Sequence, residues 1–223
     1  MTNANTKILD AVTSRALDLQ RLTAGQRRDA RRFLATLEAE LAAQVARFDP
    51  TGPARTATQQ ARLDKLIAQV RATIRTAYRE ESKRLVGELR ELADIEAKFA
   101  ATSVNRVVGV ELITAELTRA QLSAIVADVL IEGAPVSEWL SRQAGDTLKR
   151  FQDNMRLGIA QGETNAQLVR RVRGGKQNGE VVKGFMDISK RNADTLVRSA
   201  TQAVSQKSRQ ATYENNDSLI KSI

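Results

Sequence analysis

The hexapeptide Phe48-Asp-Pro-Thr-Gly-Pro53 is the sharpest break in the chain. It places two prolines and a glycine where a helix must stop and the chain can reverse. Elsewhere such punctuation is sparse. The 223 residues contain 12 Gly and 3 Pro, a composition that favours long helices over many short strands with tight turns. Two long helices joined by this short break predict an antiparallel hairpin.

The pattern on either side supports that reading. Ile8, Leu9, Val12, Ala16 and Leu19 recur at helical spacing over 7–22. Thr23 and Gln26 have the spacing of a capping box, which predicts a fresh helix start there. The second helix runs to Phe48 with Phe33, Leu34, Leu37, Leu41, Val45 and Phe48 inside an arc of roughly 120°. A third helix is predicted over 56–100, carrying Leu63, Ile67, Val70, Ile74, Ala77, Leu85, Leu89, Leu92 and Phe99. Its rhythm lapses at Glu81 and Ser82, which favours an ordinary bundle, although coiled-coil pairing with a second copy remains open.

From 101 to 117 the texture changes. "SVNRVVGVELIT" mixes β-branched residues with a glycine, compatible with a linker, an extended segment or a weak helix. Thr118 and Gln121 repeat the capping-box spacing ahead of a short helix over 119–131, and "EGAP" closes it. Ser137 is the expected N-cap of a helix over 138–161 whose buried side holds Trp139, Leu140, Leu148, Phe151, Met155 and Ile159. Gly162 is the expected left-handed terminator, and Thr164 or Asn165 caps a helix over 165–173. "RGGKQNGE" reads as a flexible basic loop and "VVKGFMDIS" as extended, a strand or a small hairpin. Ser189 is the expected cap of the last helix, which has no Gly or Pro from Asn192 to Asn216. The predicted fold is mainly α: a long helical hairpin over 1–100, a connector with a short helix over 101–134, and a smaller helical domain over 135–223. At most a short extended or hairpin segment is expected near 180–188.

Composition narrows the chemistry. The chain has neither Cys nor His. No disulfide can form, and the common zinc and copper ligands are missing, so no metal or cofactor is expected. A general base would have to be a carboxylate or a shifted Lys. The glycines of "RVRGGKQNGE" lack the spacing of a phosphate-binding loop. No catalytic set emerges, so no enzyme is expected. No apolar run approaches the ~20 residues that span a bilayer, and the start shows no signal-peptide pattern. No membrane partner is expected, and synthesis in a cytoplasm is.

The net charge is +9. The excess is spread along the chain, with only 101–136 net acidic, which suits a nucleic acid or an acidic protein surface. Arg27, Arg28, Arg31 and Arg32 share an arc of roughly 140° on the second helix and can grip phosphate or carboxylate. Their alternative role is the solvated side of that helix. "VRRVRGGK" sets Arg170, Arg171, Arg173 and Lys176 at a helix end, where they can position a duplex backbone without reading its sequence. The alternative there is compensation of the helix C-terminus. Aromatic residues make up 4% of the chain, too few for a base-stacking platform.

In the last helix, Val197, Ala200, Val204 and Ala211 fall within about 40° of Ala193. This strip of small residues permits close packing. The opposite side carries Arg198, Gln202, Ser205 and Arg209, a surface suited to polar contact within the fold or with another protein.

The segments "PVSEWLSRQAGDTLKRFQDNMRLGIAQGETNAQLVRRVRG" and "ISKRNADTLVRSATQAVSQKSRQATYENNDSLIKSI" resemble the phage minor head protein family, of the Mu F-like head-morphogenesis type. The matching features are the "IAQGET" turn, the "RRVRG" helix end and the "LVRSA" helix running into "ATYENN". The resemblance covers 135–223. It implies a structural virion protein in few copies, held near the portal or the major capsid protein inside the head. Such a protein acts in head assembly and in packaging or delivery of double-stranded DNA, and no catalytic residues come with it. Where relatives commonly have an acidic residue after Arg–Thr, this chain has Ala200 after Ser199. Relatives also continue past "LIKSI" into a segment often bearing Cys and His, so a truncated, processed or shortened member is expected. The other readings are a free-standing basic DNA-binding or coiled-coil protein, and an internal scaffold or ejection protein.

Overall fold

The computed structural model describes residues 4–50, 56–114, 116–177 and 180–217. Residues 51–53 of the break and the terminal "LIKSI" therefore lie outside the described residues. The described chain is mainly α, with six helices and two short antiparallel strand pairs. The helices are α1 (Ala4–Ala46), α2 (Ala57–Val108), α3 (Arg119–Asp128), α4 (Val136–Ala160), α5 (Asn165–Arg173) and α6 (Met186–Asn215). Strands β1 (Leu130–Ile131) and β2 (Ala134–Pro135) form one pair, β3 (Gly174–Gln177) and β4 (Glu180–Lys183) the other.

The compact units do not follow the consecutive divisions read from the sequence. One unit takes Met1–Arg28, Lys83–Ser137 and Leu196–Ile223; the other takes Asp29–Ser82 and Glu138–Thr195. Helices α1, α2 and α6 each contribute to both.

In the first unit, Leu85, Leu89, Leu92, Ala93, Ala97 and Ala100 of α2 are buried, as are Leu196, Val197, Ala200 and Val204 of α6. Thr118 and Gln121 form the predicted capping box of α3. The helix expected over 119–131 stops at Asp128: Leu130–Ile131 pairs with Ala134–Pro135 instead, Ile131 opposite Ala134, with Glu132 and Gly133 turning between them. The β-branched stretch after 101 stays helical to Val108, and Gly109 at φ +80° ends it. Asn105 then holds the loop: its Oδ1 accepts from the Leu112 and Ile113 N–H groups at 2.9 and 2.7 Å, and its amide donates to the Ile113 carbonyl.

No new helix starts at Thr23. α1 is continuous, the Thr23 hydroxyl donates to the Leu19 carbonyl, and the buried Gln26 accepts from Thr201. A side-chain pair with capping spacing caps nothing when the backbone donors it would serve are already inside a helix.

The second unit packs α1, α2, α4 and α6 segments around one core. Leu34, Leu37, Leu41 and Val45 meet the conditions predicted for them, and Leu63, Ile67, Val70 and Ile74 are buried with them. Phe33 and Tyr78 stack edge to face at 5.3 Å. Trp139, Leu140, Phe151 and Met155 are buried on α4, whereas Leu148 and Ile159 are half-buried.

Three local expectations are corrected. Ser137 lies inside the first turn of α4, because the helix opens at Val136. Ser189 does not cap α6, which opens at Met186; it is buried with its Oγ 3.1 Å from Thr147 Oγ1. The Gly174–Gln177 part of the expected flexible loop is strand β3, paired with β4 at Glu180–Lys183, and Met186, Asp187 and Ile188 are helical rather than extended.

The Thr147 hydroxyl also lies 3.0 Å from Tyr78 Oη. Burial raises the Tyr78 pKa above its ordinary 10.0, although bonds to Thr147 and Ser189 and the Arg150 charge act against it. A folded pKa above the unfolded one means stability is intact below about pH 10 and falls as the pH rises through and beyond it. Thermal melts between about pH 9 and 11 should therefore fall more steeply for the wild-type chain than for Tyr78→Phe. At neutral pH the same variant should lose about 1 kcal/mol with the Thr147 bond.

Candidate functional site

The predicted arginines of α1 divide between the units. Arg28 is exposed and has no carboxylate partner among the described residues, and Arg27 is half-buried beside it in the first unit. In the second unit Arg31 is bound to Asp194 through two nitrogens, which raises its pKa through the hydrogen bond and the opposite charge. Arg32 lies 3.3 Å from Asp29. Much of this basic arc is thus matched by carboxylates of its own unit.

The group around α5 is different. Helix α4 ends at Ala160, and Gly162 just beyond it takes the predicted left-handed φ of +71°. Thr164 then caps α5, its N–H donating to the Gln167 side-chain oxygen at 2.7 Å. The α4–α5 corner closes on Gly158. A Cβ there would come within 2.4 Å of Leu168 and 2.6 Å of Glu163 Oε2. The space left by that missing carbon holds a bidentate pair: Arg171 Nε and Nη2 donate to Glu163 at 2.6 and 2.7 Å, and Nη2 also to Gln161 at 2.6 Å. The Glu163 bond raises the Arg171 pKa, so its charge is fixed at any ordinary pH.

Strand β3 follows α5 directly. Gly174 adopts φ +77°, and the Phe185 N–H donates to the Arg171 carbonyl at 3.0 Å. This return places β4 and the first turn of α6 beside α5. The result is a cleft of about 560 Å³ whose walls include Arg170, Arg171, Lys183, Arg191, Glu163 and Asp187. Arg170 and Arg171, singled out in the sequence, are brought together here. Arg173 and Lys176 are exposed and are not among the cleft's lining residues. Lys183 and Arg191 were missed because they stand in a different segment; only the hairpin brings them to α5.

The polar side read for α6 also divides. Arg198 and Gln202 are exposed as predicted. Ser205 is 2% exposed, a correction to its surface role. The buried strip also includes Thr201, Ser205, Ser208 and Thr212, which centre about 90° round from Ala193, so the buried face is rotated toward them. Hydroxyls make that rotation affordable: Thr201, Ser208 and Thr212 each donate to the carbonyl one turn back, at 2.7, 2.7 and 2.9 Å. Arg209 turns inward instead of outward. Its Nε donates to Glu96 at 2.5 Å, Arg15 donates to the same carboxylate at 2.8 Å, and both guanidiniums lie over the Phe99 ring at 5.1 and 5.7 Å. Glu96 is 0% exposed. This clamp joins α1, α2 and α6 within the first unit.

Among the described residues no group of side chains is arranged to hold a metal ion, and no helix is long and apolar enough to cross a membrane. No protein-family model, curated protein or solved structure matches the chain.

Proposed function

We propose that the chain is a structural minor head protein of a tailed phage. It docks near the portal or the inner face of the capsid and acts, without catalysis, in head assembly and in DNA packaging or delivery. The observation that carries this reading is the ordered series of sequence blocks over 135–223. Their spacing has a physical rationale in this fold: Gly158, just before the "IAQGET" turn, and Gln161 and Glu163 within it meet Arg171 of the "RRVRG" block in one corner. A corner built that way fixes where the following hairpin and α6 begin, which gives residues far apart in sequence a reason to occur together.

Arg198 and Gln202, the exposed members of the α6 face, are then the contact surface for protein, and the basic cleft the one for polyanion. Purified chain mixed with the portal protein of the same phage should co-sediment as a defined complex in a velocity experiment. Failure to associate at micromolar concentration would count against the docking part.

A second reading, a free-standing basic helical or coiled-coil protein, draws on Leu9, Val12 and Leu17, which are exposed on α1. It predicts a stable dimer or trimer without portal affinity in the same experiment.

A further inference from the structure

We infer that the cleft walled by α5, β4 and the first turns of α6 is a binding site for a phosphate group. Arg170, Lys183 and Arg191 line it from three separate elements, and none has a carboxylate partner among the described residues. The two carboxylates in the wall are already engaged. Glu163 holds Arg171 through both oxygens, and Asp187 lies 3.4 Å from Lys190. The fixed positive charge therefore exceeds the negative charge free to answer it.

The N-terminus of the 30-residue α6 opens on the same space, since Phe185, Asp187 and Ile188 line it. That end of a helix carries partial positive charge, which adds to the field of the side chains. Cations drawn from three directions suit a tetrahedral, multiply charged anion better than a planar carboxylate. At about 560 Å³ the space exceeds one phosphate and lies in the range of ordinary ligand sites. The phosphate thus belongs to something larger: a nucleic-acid backbone or a free polyphosphate or nucleotide. The inference deepens the DNA-facing part of the proposed function by locating it, and it requires no virion.

The test compares two triple variants of the full chain. Arg170→Gln/Lys183→Gln/Arg191→Gln removes the cleft charges. Lys65→Gln/Arg71→Gln/Arg75→Gln removes the same formal charge from exposed positions on α2 in the same unit. Binding of a fluorescent DNA duplex and of inorganic tripolyphosphate is measured across a salt series. The cleft variant should lose at least about tenfold in affinity at moderate salt and shallow the salt slope by about 2–3, while the control keeps most of its affinity. Loss of duplex binding, with tripolyphosphate competing, assigns the site to a nucleic-acid backbone. Loss of tripolyphosphate binding alone assigns it to a small phosphate ligand.

A second measurement uses the unaltered protein. Arginine modification by phenylglyoxal, mapped by mass spectrometry, should be slowed at Arg170 and Arg191 by tripolyphosphate but not at Arg71 and Arg75. Equal behaviour of the two triple variants, no binding of either probe at low salt, or no selective protection would overturn the inference. None of these results depends on whether the chain is found in particles.

Discussion

Replacing Glu96 by alanine should cost about 3 kcal/mol of folding stability, toward the lower end of what removing one member of a buried ion group costs. The carboxylate is 0% exposed and is shared by Arg15 and Arg209, whose side chains retain 17% and 25% exposure. Without it two guanidiniums are left beside Phe99 with their shared carboxylate gone. Their residual access to water keeps the loss from being larger. Urea unfolding followed by circular dichroism would read the change. The triple replacement Arg15→Met/Glu96→Leu/Arg209→Met supplies the decisive contrast, since well-packed apolar groups often replace a buried ionic set at little cost. It should recover most of the stability lost by Glu96→Ala. A loss below about 1 kcal/mol in the single variant would mean that the clamp does not hold α1 and α6 to α2.

Gly184→Ala should be the most damaging glycine substitution in the second unit. A Cβ at Gly184 would lie 2.2 Å from the Val172 carbonyl oxygen, 2.4 Å from the Gly174 nitrogen and 2.5 Å from the Arg173 carbonyl carbon. These are backbone atoms and cannot swing aside as a side-chain tip can. Either α5 and the hairpin separate or the strand pairing gives way, at a cost of about 3 kcal/mol or more. Lys183 would leave the cleft with the strand, so tripolyphosphate binding should fall along with the melting temperature. Gly145→Ala is the matching control. It sits exposed inside α4 with nothing within 4 Å of the new carbon, and should stabilise by roughly 0.5–1 kcal/mol. If both variants melt alike, the close approach of α5 and β4 is not what fixes the cleft.

Helical periodicity made the large apolar faces legible. Leu34, Leu37, Leu41 and Val45 on α1, and Val70 and Ile74 on α2, are buried as their spacing requires. The α3 capping box and the Gly162 terminator were equally readable, because each satisfies a backbone need local to its own segment. Errors arose where a side chain met a need set by distant residues. Thr23 and Gln26 have capping spacing, yet Gln26 is committed to Thr201, far along the chain. Ser189 resembles a cap but serves Thr147.

The α6 surface shows the same limit from another side. Ser205, Ser208 and Thr212 count as polar in any periodicity, but a hydroxyl can return its hydrogen to the preceding turn and enter a core. Arg209 could not be told from Arg198 by type or position; only the buried Glu96 on α2 separates their roles. At the cleft, Arg170 and Arg171 were visible as a basic helix end. The Asn178-Gly179 pair between β3 and β4 is the signal that could have joined them to Lys183, since Asn-Gly between extended runs marks a hairpin.

Whether this chain works by contact inside a phage head would be decided by quantitative mass spectrometry of DNA-filled heads. These would be purified from the phage or prophage whose genome encodes the chain. The account predicts its peptides at a small, reproducible ratio to the major capsid protein, retained after nuclease and high-salt washing. Complete absence from such heads, with the chain abundant in the lysate that yielded them, would contradict it.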